Sequence, residues 1–246
     1  MRFDWFSLSE QGRDPHGNED FALGSPEAGV FVVADGMGGR PGGAQASQIA
    51  ATSFVDGRRG DRAAVADRRK TETLQDAVAE ANTAVRAAAR ADPALAGMGT
   101  TLTAAVLVQN RGRIVHIGDS RAYLFGRGWV QQLTEDHTLA AELVARRYLS
   151  EAGAIRFPLR NVLSRAVGAR PNVEADLLAL ALEPDEALLL ATDGLFKALP
   201  PLALETLLTT AGDPGAEALS RTIVDAALGG DPEDNVTALV VRVRDG

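Results

Sequence analysis

The sequence predicts an α+β fold in which helices cover a core of antiparallel β-sheet. Short apolar runs of strand length recur along the chain and are bounded by Gly, Asp and Asn residues. Between residues 101 and 133 only three or four residues separate successive runs, a distance that permits hairpins and excludes parallel crossovers. Amphipathic stretches with a helical period lie in other parts of the chain, so helices and strands should form separate layers.

Six runs are predicted to be strands, because their residues are apolar or β-branched and turn residues flank them. In chain order they are 31–34, 101–108, 114–117, 122–125, 187–191 and 236–243. The short gaps within 101–133 indicate that at least this part of the sheet is antiparallel.

Four helices are predicted from the spacing of small and apolar residues and from capping signals. The last of them has Asp213 as its predicted N-cap and Pro214 at its first position, and it should end at Gly229-Gly230. In chain order the predicted helices are 43–54, 74–88, 139–149 and 214–230.

The chain of 246 residues, 46% of them hydrophobic and 24% charged, is long enough for one large domain or two small ones. No internal repeat and no linker rich in Pro, Gly or Ser divides it, so we predict a single domain over 1–246. No apolar block is long enough to span a membrane. Near the N-terminus Asp4 interrupts the apolar residues, so no signal peptide is predicted there. We therefore expect a cytoplasmic protein without a membrane partner.

The net charge and the scarcity of sulfur and imidazole ligands narrow the possible functions. The chain has no cysteine, which excludes disulfides, thiolate metal sites and enzymes that attack through sulfur. A zinc site would require all three histidines, His16, His116 and His137, together with a carboxylate. The net charge is −8, and the one basic run, 68–70, belongs to a charged connection or helix start over 57–70, so no nucleic acid partner is expected.

Aspartates stand at the ends of several predicted strands. Apolar runs lead to Asp35, Asp119 and Asp193, and Asp234 comes just before the last strand. One Asp-Gly after a strand is usually a turn signal, but its repetition favours a common rim at which the acids gather. Carboxylates so close would repel one another, and Mg²⁺ or Mn²⁺ would relieve that repulsion.

A second group of candidate residues lies near the N-terminus. Arg13 precedes two acids, Glu19 and Asp20. The planar guanidinium of arginine matches phosphate oxygens bidentately. Gly36, directly after Asp35, would let its backbone carbonyl approach an ion without a side chain in the way. Together the residues indicate metal-assisted phosphoryl transfer or hydrolysis.

Three other motifs have alternative explanations. Ser120 stands in a sequence close to a nucleophile elbow, but the segment after it is strand-like where the elbow needs a helix. The glycine-rich segment 36–43 lacks the ending of a P-loop and the spacing of a dinucleotide-binding motif. His137 could act as an acid or base, although a structural hydrogen-bonding role is more common for an isolated histidine at a strand-to-helix junction.

Eight short motifs occur in one order along nearly the whole chain. Each motif alone is weak, but the ordered set resembles the metal-dependent protein serine/threonine phosphatases of the 2C type, in their short bacterial form. The motifs are Arg13 with Asn18-Glu19-Asp20, Val33-Ala34-Asp35-Gly36-Met37-Gly38-Gly39, Gly99-Thr100-Thr101, Gly118-Asp119-Ser120-Arg121-Ala122-Tyr123, Leu133-Thr134 with Asp136-His137, Leu163-Ser164-Arg165-Ala166-Val167-Gly168, Thr192-Asp193-Gly194-Leu195 and Asp234-Asn235-Val236-Thr237.

The resemblance implies a four-layer α/β/β/α sandwich with two Mn²⁺ or Mg²⁺ ions in a cleft at one end of two antiparallel sheets. It implies hydrolysis of phosphoserine and phosphothreonine on proteins by a metal-bridging hydroxide, without a phosphoenzyme. The family carries a flap, here at about 140–161. Phosphorylated proteins and an opposing serine/threonine kinase pathway are the implied partners, and we expect a monomer.

By motif position, the resemblance also implies which residues hold the main metal pair. Asp35 would bridge the two ions, and the carbonyl of Gly36 would bind one of them. Asp193 and Asp234 would complete the shell of the first ion.

Further roles follow from the same resemblance. Glu19 and Asp20 would hold metal-bound waters, and Arg13 would hold the substrate phosphate. Asp119, together with Asp193, is the candidate for a third, weaker ion.

Two residues depart from the family pattern. Many members have a histidine, a candidate acid for the leaving group, where this chain has Met37, so the proton must come from a metal-bound water or another group. Lys197 stands where an acid is common; it could change the surface charge near the cleft, but an exposed helix residue without a role is the more common case. The alternative function is a pseudophosphatase or phospho-binding regulatory module, but the retention of Asp35, Asp193 and Asp234 favours an active enzyme.

Overall fold

Eleven strands and seven α-helices are present in a computed structural model that describes residues 1–39, 41–57, 71–210 and 212–244. The strands are β1 (Arg2–Glu10), β2 (Asp20–Ser25), β3 (Val30–Met37), β4 (Gly99–Thr100), β5 (Leu102–Val108), β6 (Arg111–Ile117), β7 (Arg121–Gly126), β8 (Trp129–Gln132), β9 (Asp176–Ala181), β10 (Ala187–Ala191) and β11 (Val236–Arg244). The helices are α1 (Gly42–Asp56), α2 (Thr71–Ala91), α3 (Leu139–Ala145), α4 (Glu151–Ile155), α5 (Asp193–Ala198), α6 (Pro201–Thr210) and α7 (Ala216–Leu228), and a 3₁₀ turn covers Pro93–Leu95.

The strands form two sheets, and each strand pair described in them is antiparallel. The first sheet has the order β1-β11-β10-β7-β8. The second has the order β2-β3-β5-β6-β9, with the short β4 beside β3. The prediction of an antiparallel core is confirmed.

Alternation along β3 shows how the layers stack. Val30 and Val32 point to the side covered by α1 and α2, where they join a core with Phe54. Phe31 and Val33 point the other way and pack between the two sheets. Both faces of this strand are buried, which explains its unbroken apolar run.

The outer face of the first sheet is covered by α5, α6 and α7. Leu189 and Val240, from the neighbouring strands β10 and β11, pack there against Ile223 of α7 and Leu204 of α6. The order of layers is therefore helix, sheet, sheet, helix, and the predicted four-layer α/β/β/α sandwich is confirmed. None of the helices in the described ranges is long and apolar enough to cross a membrane.

The start of the last helix differs from the sequence prediction. α7 begins at Ala216 with Gly215 as its N-cap, so the prediction of Asp213 as N-cap is wrong. The carboxylate of Asp213 instead accepts hydrogen bonds from Arg242, at 2.6 Å, and from Arg244, at 3.1 Å. Pairing with two arginines of β11 competes with capping for the same oxygens. The predicted end at the double glycine is confirmed.

The helix predicted over 139–149 is shorter than expected and is followed by a second one. α3 ends at Ala145, and Arg147 has a φ of 62°, a backbone conformation that interrupts a right-handed helix. Ser150 then caps α4 by accepting a hydrogen bond from the Gly153 amide at 3.1 Å.

Several elements were not predicted, namely β1, β2, β8, β9, α5 and α6. In β1 every internal residue is partly exposed, so the sequence shows no alternation between a buried and a solvent face. Its partner β11 lies at the other end of the described chain. The basic run 68–70 and the connection predicted over 57–70 fall, apart from Gly57, outside the described residues.

Candidate active site

Five aspartates meet at one end of the two sheets. Asp20 lies directly opposite Asp35 in the β2–β3 ladder. The end of β10 pairs with the start of β11, which places Asp193 and Asp234 beside each other in the other sheet. The charges of these residues and of Asp119 all act on Asp35. The structure therefore brings together acids that are far apart in the sequence.

Burial makes four of these carboxyl groups, those of Asp20, Asp35, Asp119 and Asp193, difficult to ionise. The pKa of Asp35 lies well above its usual range because burial disfavours the charged form, and the neighbouring aspartates raise it further. Burial raises the pKa of Asp20 to about 7, against the opposing effect of two threonine hydrogen bonds. Burial, with a smaller contribution from the charge of Asp193, also raises the pKa of Asp119 to about 7. A nearby positive charge would stabilise the ionised cluster.

Two threonines hold Asp20 from the opposite sheet. Thr192 and Thr237 donate their hydroxyls to Oδ2 of Asp20 at 2.7 and 2.6 Å. The other oxygen, Oδ1, is buried and has no hydrogen-bond partner among the described residues, and the same is true of Oδ1 of Asp193. A buried carboxylate oxygen without a partner is rare in folded proteins and calls for an unobserved ligand, water or ion.

The backbone of Asp35 is fixed by the Gly99-Thr100-Thr101 motif. The amide of Asp35 donates to the Thr101 hydroxyl at 2.8 Å, and the Asp35 carbonyl accepts from the Thr100 hydroxyl at 2.8 Å and from the Thr101 amide at 2.9 Å. The Thr101 hydroxyl also contacts Oγ of Ser120 at 2.7 Å, beside Asp119. The two threonines thus connect two members of the aspartate cluster.

Two glycines allow a close approach between β3 and α1. A Cβ atom on Gly36 would overlap the carbonyl oxygen of Gly43, in the first turn of α1. A Cβ on Gly43 would overlap the carboxylate of Glu19. The Glu19 carboxylate therefore lies against the N-terminus of α1, where the helix dipole favours negative charge.

Asn235, in the loop before β11, holds the loop between β1 and β2 at the base of the site. Its Oδ1 accepts a hydrogen bond from the Glu19 amide at 2.8 Å. Its Nδ2 donates to the carbonyls of Gln11 and Gly17 at 2.9 and 3.0 Å. The sequence analysis assigned no role to Asn235, although it lies in a recognised motif. The signal available was its position directly after Asp234 and before a buried strand.

Lys197 is exposed at the surface, as predicted, but its ammonium also contacts the aspartate cluster, which was not predicted. It stands four residues after Asp193 on α5, and its Nζ lies 2.5 Å from Oδ2 of Asp193 and 2.9 Å from Oδ2 of Asp234. The ammonium therefore bridges two carboxylates of the cluster. The helical spacing of four residues places the two side chains on one face, which the sequence could have indicated.

His137 and Ser120 occupy structural positions. Nδ1 of His137 accepts a hydrogen bond from the Gly118 amide at 3.1 Å, and Nε2 lies 3.1 Å from Oδ2 of Asp176. The side chain is only 4% exposed. Ser120 is buried and is followed by the strand β7. The geometry supports the structural interpretation of His137 and argues against a nucleophile elbow at Ser120.

Arg13 lies in the loop after β1 and faces acids outside the aspartate cluster. Its Nε is 3.2 Å from Asp231, and its Nη2 is 3.7 Å from Glu233. Its amide donates to the Pro232 carbonyl at 2.9 Å, which fixes the loop next to Asp234. More than half of the side chain is exposed, so the guanidinium is accessible at the edge of the site.

The cluster fits a hard divalent cation by its donor chemistry. Its side chains are carboxylates, which Mn²⁺ and Mg²⁺ prefer. Such an ion would also satisfy Oδ1 of Asp20 and Oδ1 of Asp193, which have no partner within the described part of the chain. Among the described residues, the carboxylate and histidine side chains do not by themselves form a preassembled group of three ligands. Binding of a cation would therefore draw the carboxylates together.

The raised pKa values predict a pH dependence of stability without metal. The pKa of about 7 for Asp20 and Asp119 exceeds the unfolded value, so the folded state binds more protons, and its stability falls as pH rises. Burial lowers the pKa of His116 to about 4, so this residue makes the folded state more stable as pH rises. That effect is largely complete at about pH 6.5, the pKa of an unfolded histidine.

We therefore expect the melting temperature in EDTA to fall from about pH 6.5 to about pH 8. Thermal unfolding followed by circular dichroism measures this, and added Mn²⁺ should reduce the fall. A melting temperature that rises over this range would contradict the pKa assignment.

Comparisons with known proteins agree on one family. The family model described as protein phosphatase 2C matches residues 16–230. The serine/threonine phosphatase stp of Listeria innocua is 34% identical over 243 residues, covering 95% of this chain and 93% of the relative. The serine/threonine protein phosphatase PstP of Mycobacterium tuberculosis is 35% identical over 241 residues, covering 96% of this chain and 44% of that protein.

Solved structures share the whole fold. The crystal structure of the Mycobacterium tuberculosis phosphatase PstP/Ppp has a TM-score of 0.88 and 29% identity, with each chain fully covered. The catalytic domain of a PstP in complex with two manganese ions has a TM-score of 0.84 and 30% identity, with 99% of each chain covered. The family model spans most of the sequence, and a relative of similar length matches nearly all of it, so the chain belongs to the protein phosphatase 2C family.

Proposed function

We propose that this chain hydrolyses phosphoserine and phosphothreonine on proteins with two Mn²⁺ or Mg²⁺ ions held by the aspartate cluster. The observation that carries the proposal is the aspartate cluster itself, in which Asp20 and Asp193 each have a buried oxygen that no described residue contacts by a hydrogen bond. The relatives named as serine/threonine phosphatases and the structure in complex with two manganese ions support it.

In this proposal Asp35 would hold both ions, and the Gly36 carbonyl, Asp193 and Asp234 would complete the main site. When bound, divalent cations would lower the pKa of water and so supply hydroxide near neutral pH. Hydroxide could attack phosphorus directly, without a phosphoenzyme. Every other contribution comes from the chain, which holds the carboxylates in place through the threonines and Asn235.

The remaining acids form the outer part of the proposed site. Glu19 and Asp20 would hold water around the ions, at the positions where α1 and the opposite sheet fix them. Asp119, with Asp193, would bind a third and weaker ion. Met37 has no proton to donate, and it packs close to Gly99, so it shapes the wall of the site.

The surroundings of the site complete the proposal. The segment 140–161 would be a flap that influences which phosphopeptides are accepted, and it exposes Tyr148, Ile155 and Leu159. The enzyme would act as a cytoplasmic monomer and oppose a serine/threonine kinase.

The direct test is hydrolysis of a phosphothreonine peptide after treatment with EDTA. We expect no activity with the chelator and recovery on addition of Mn²⁺ or Mg²⁺, because the attacking group forms near neutral pH only when cations lower the pKa of water. Full activity in excess EDTA, with the metal content verified as nil, would contradict the proposal.

Arg13 is proposed to hold the substrate phosphate. Arg13→Ala should lower kcat/KM by about tenfold or more, with both a higher KM and a lower kcat, because the phosphoryl oxygens must also be held in the transition state. Arg90→Ala, which removes an exposed arginine at the end of α2, is the control. Unchanged kinetics of Arg13→Ala on a phosphopeptide and on an aryl phosphate would refute this role.

A further inference from the structure

Lys197 occupies an unusual place for a positive charge in a site built to bind cations. Its ammonium lies within 2.9 Å of one oxygen each of Asp193 and Asp234, two of the proposed metal ligands. These two carboxylates come from different elements, α5 and the loop before β11. One side chain therefore joins both sides of the main site.

We propose that Lys197 is a tethered competitor for the divalent cation at Asp193 and Asp234, so that metal binding requires its ammonium to leave both carboxylates. This inference rests on the proposed function. Lys197 would thereby help to set the concentration of Mn²⁺ or Mg²⁺ at which the enzyme binds its metal ions.

The competition follows from charge and from donor chemistry. A protonated lysine has three donors and no acceptor, so it cannot become a ligand of the ion. A divalent cation between the same two carboxylates would also repel an ammonium only a few ångströms away. The two cations therefore exclude each other from this position.

The structure leaves Lys197 free to move aside. Its side chain is 41% exposed, so solvent can take up the ammonium. The flexible four-carbon stem allows this movement without a shift of α5. Asp119 lies within electrostatic reach of Lys197, so the displaced charge retains a negative neighbour. Displacement therefore needs a side-chain rotation and no change of fold.

Two opposite effects follow from removal of the lysine. Without metal, Asp193 and Asp234 would lose a neutralising partner, and the folded state should become less stable. With metal, no tethered cation has to be displaced, and binding should become tighter. A lysine that served only as a structural ion pair would give the first effect without the second.

The test is isothermal titration of the metal-free full chain with Mn²⁺. For Lys197→Gln and for Lys197→Met we expect the dissociation constant to fall about tenfold, since each of two partly exposed ion pairs contributes a few-fold. We also expect a lower melting temperature without metal and a larger increase of that temperature on adding Mn²⁺. Two neutral substitutions are used so that a folding defect in one of them does not decide the result.

Two controls separate the position of the charge from its loss. Lys197→Arg keeps a tethered cation and should bind Mn²⁺ about as weakly as the wild type. Arg221→Gln removes a positive charge from another pair spaced by four residues, with Glu217 on α7, and should leave the dissociation constant unchanged.

Equal or weaker Mn²⁺ binding by both neutral variants would overturn the competition, while the proposed function would stand. If neither the wild type nor the neutral variants bind Mn²⁺, the proposed metal site and this inference both fail. Tighter binding by the neutral variants alone supports the inference.

Discussion

Asp35→Asn is expected to lower kcat/KM on a phosphopeptide by about a hundredfold to a thousandfold while the protein remains folded. Loss of one preorganised stabilising group from an active site typically has an effect of about this size. The substitution keeps the shape of the side chain but removes the negative charge proposed to be shared by both ions. Because burial and neighbouring charges already disfavour an ionised Asp35, the neutral amide should not reduce the metal-free melting temperature.

The measurement combines steady-state kinetics with thermal unfolding in EDTA and in Mn²⁺. The wild type should gain stability from Mn²⁺, and Asp35→Asn should gain much less. Asp76→Asn, on the exposed face of α2, is the matched control and should behave as the wild type. Near-normal turnover by Asp35→Asn at saturating Mn²⁺ would remove Asp35 from the proposed metal site.

Asn235→Ala is expected to destabilise the protein by about 3 kcal/mol, because three backbone groups, two of them in buried residues, would lose their hydrogen-bond partner. These groups are the Glu19 amide and the carbonyls of Gln11 and Gly17. The same substitution should weaken Mn²⁺ binding, since the loops that carry Glu19 and Asp234 would no longer be held together. Urea unfolding and titration with Mn²⁺ measure the two effects.

Asn82 provides a closely matched control. It is also buried, and its side chain also makes three hydrogen bonds, with the Gly168 amide and with the carbonyls of Arg170 and Pro171, but it lies on α2 away from the aspartates. Asn82→Ala should lose a similar amount of stability and keep the Mn²⁺ affinity of the wild type. If Asn82→Ala lost as much Mn²⁺ affinity as Asn235→Ala, general destabilisation would explain the loss of affinity in both variants.

The predicted strands are those in which both faces are largely buried. The strand around Phe31 and Val33 is apolar on both faces, so it appears as an unbroken run that ends at Asp35. In contrast, β1 is half-buried along its length, and what makes it a strand is its distant partner β11. A local pattern cannot contain that information.

The candidate site divides in the same way. Asp35, Asp119, Asp193 and Asp234 were found because each follows or precedes a predicted strand, and Asp20 was found in an acidic motif near the N-terminus; both are local features. The contacts of Asn235 with the loop between β1 and β2, and that of Lys197 with Asp234, depend on how distant loops approach one another, and no spacing along the chain encodes such an approach. Only the spacing of four residues between Asp193 and Lys197 is a local signal. Asp213 shows the converse, because a correct local capping signal is overridden by two arginines of β11.

The position of β11 inside the first sheet has a consequence for folding during synthesis. This strand comes last along the described chain, yet it lies between β1 and β10, so the first sheet cannot be completed until residues 236–244 have emerged from the ribosome. The second sheet ends at Ala181 and can form with α1 and α2 well before that. Until β11 arrives, the inner face of the second sheet, including Phe31 and Val33, has no complete partner layer. The nascent chain should therefore pass through a state with exposed apolar surface that chaperones can bind.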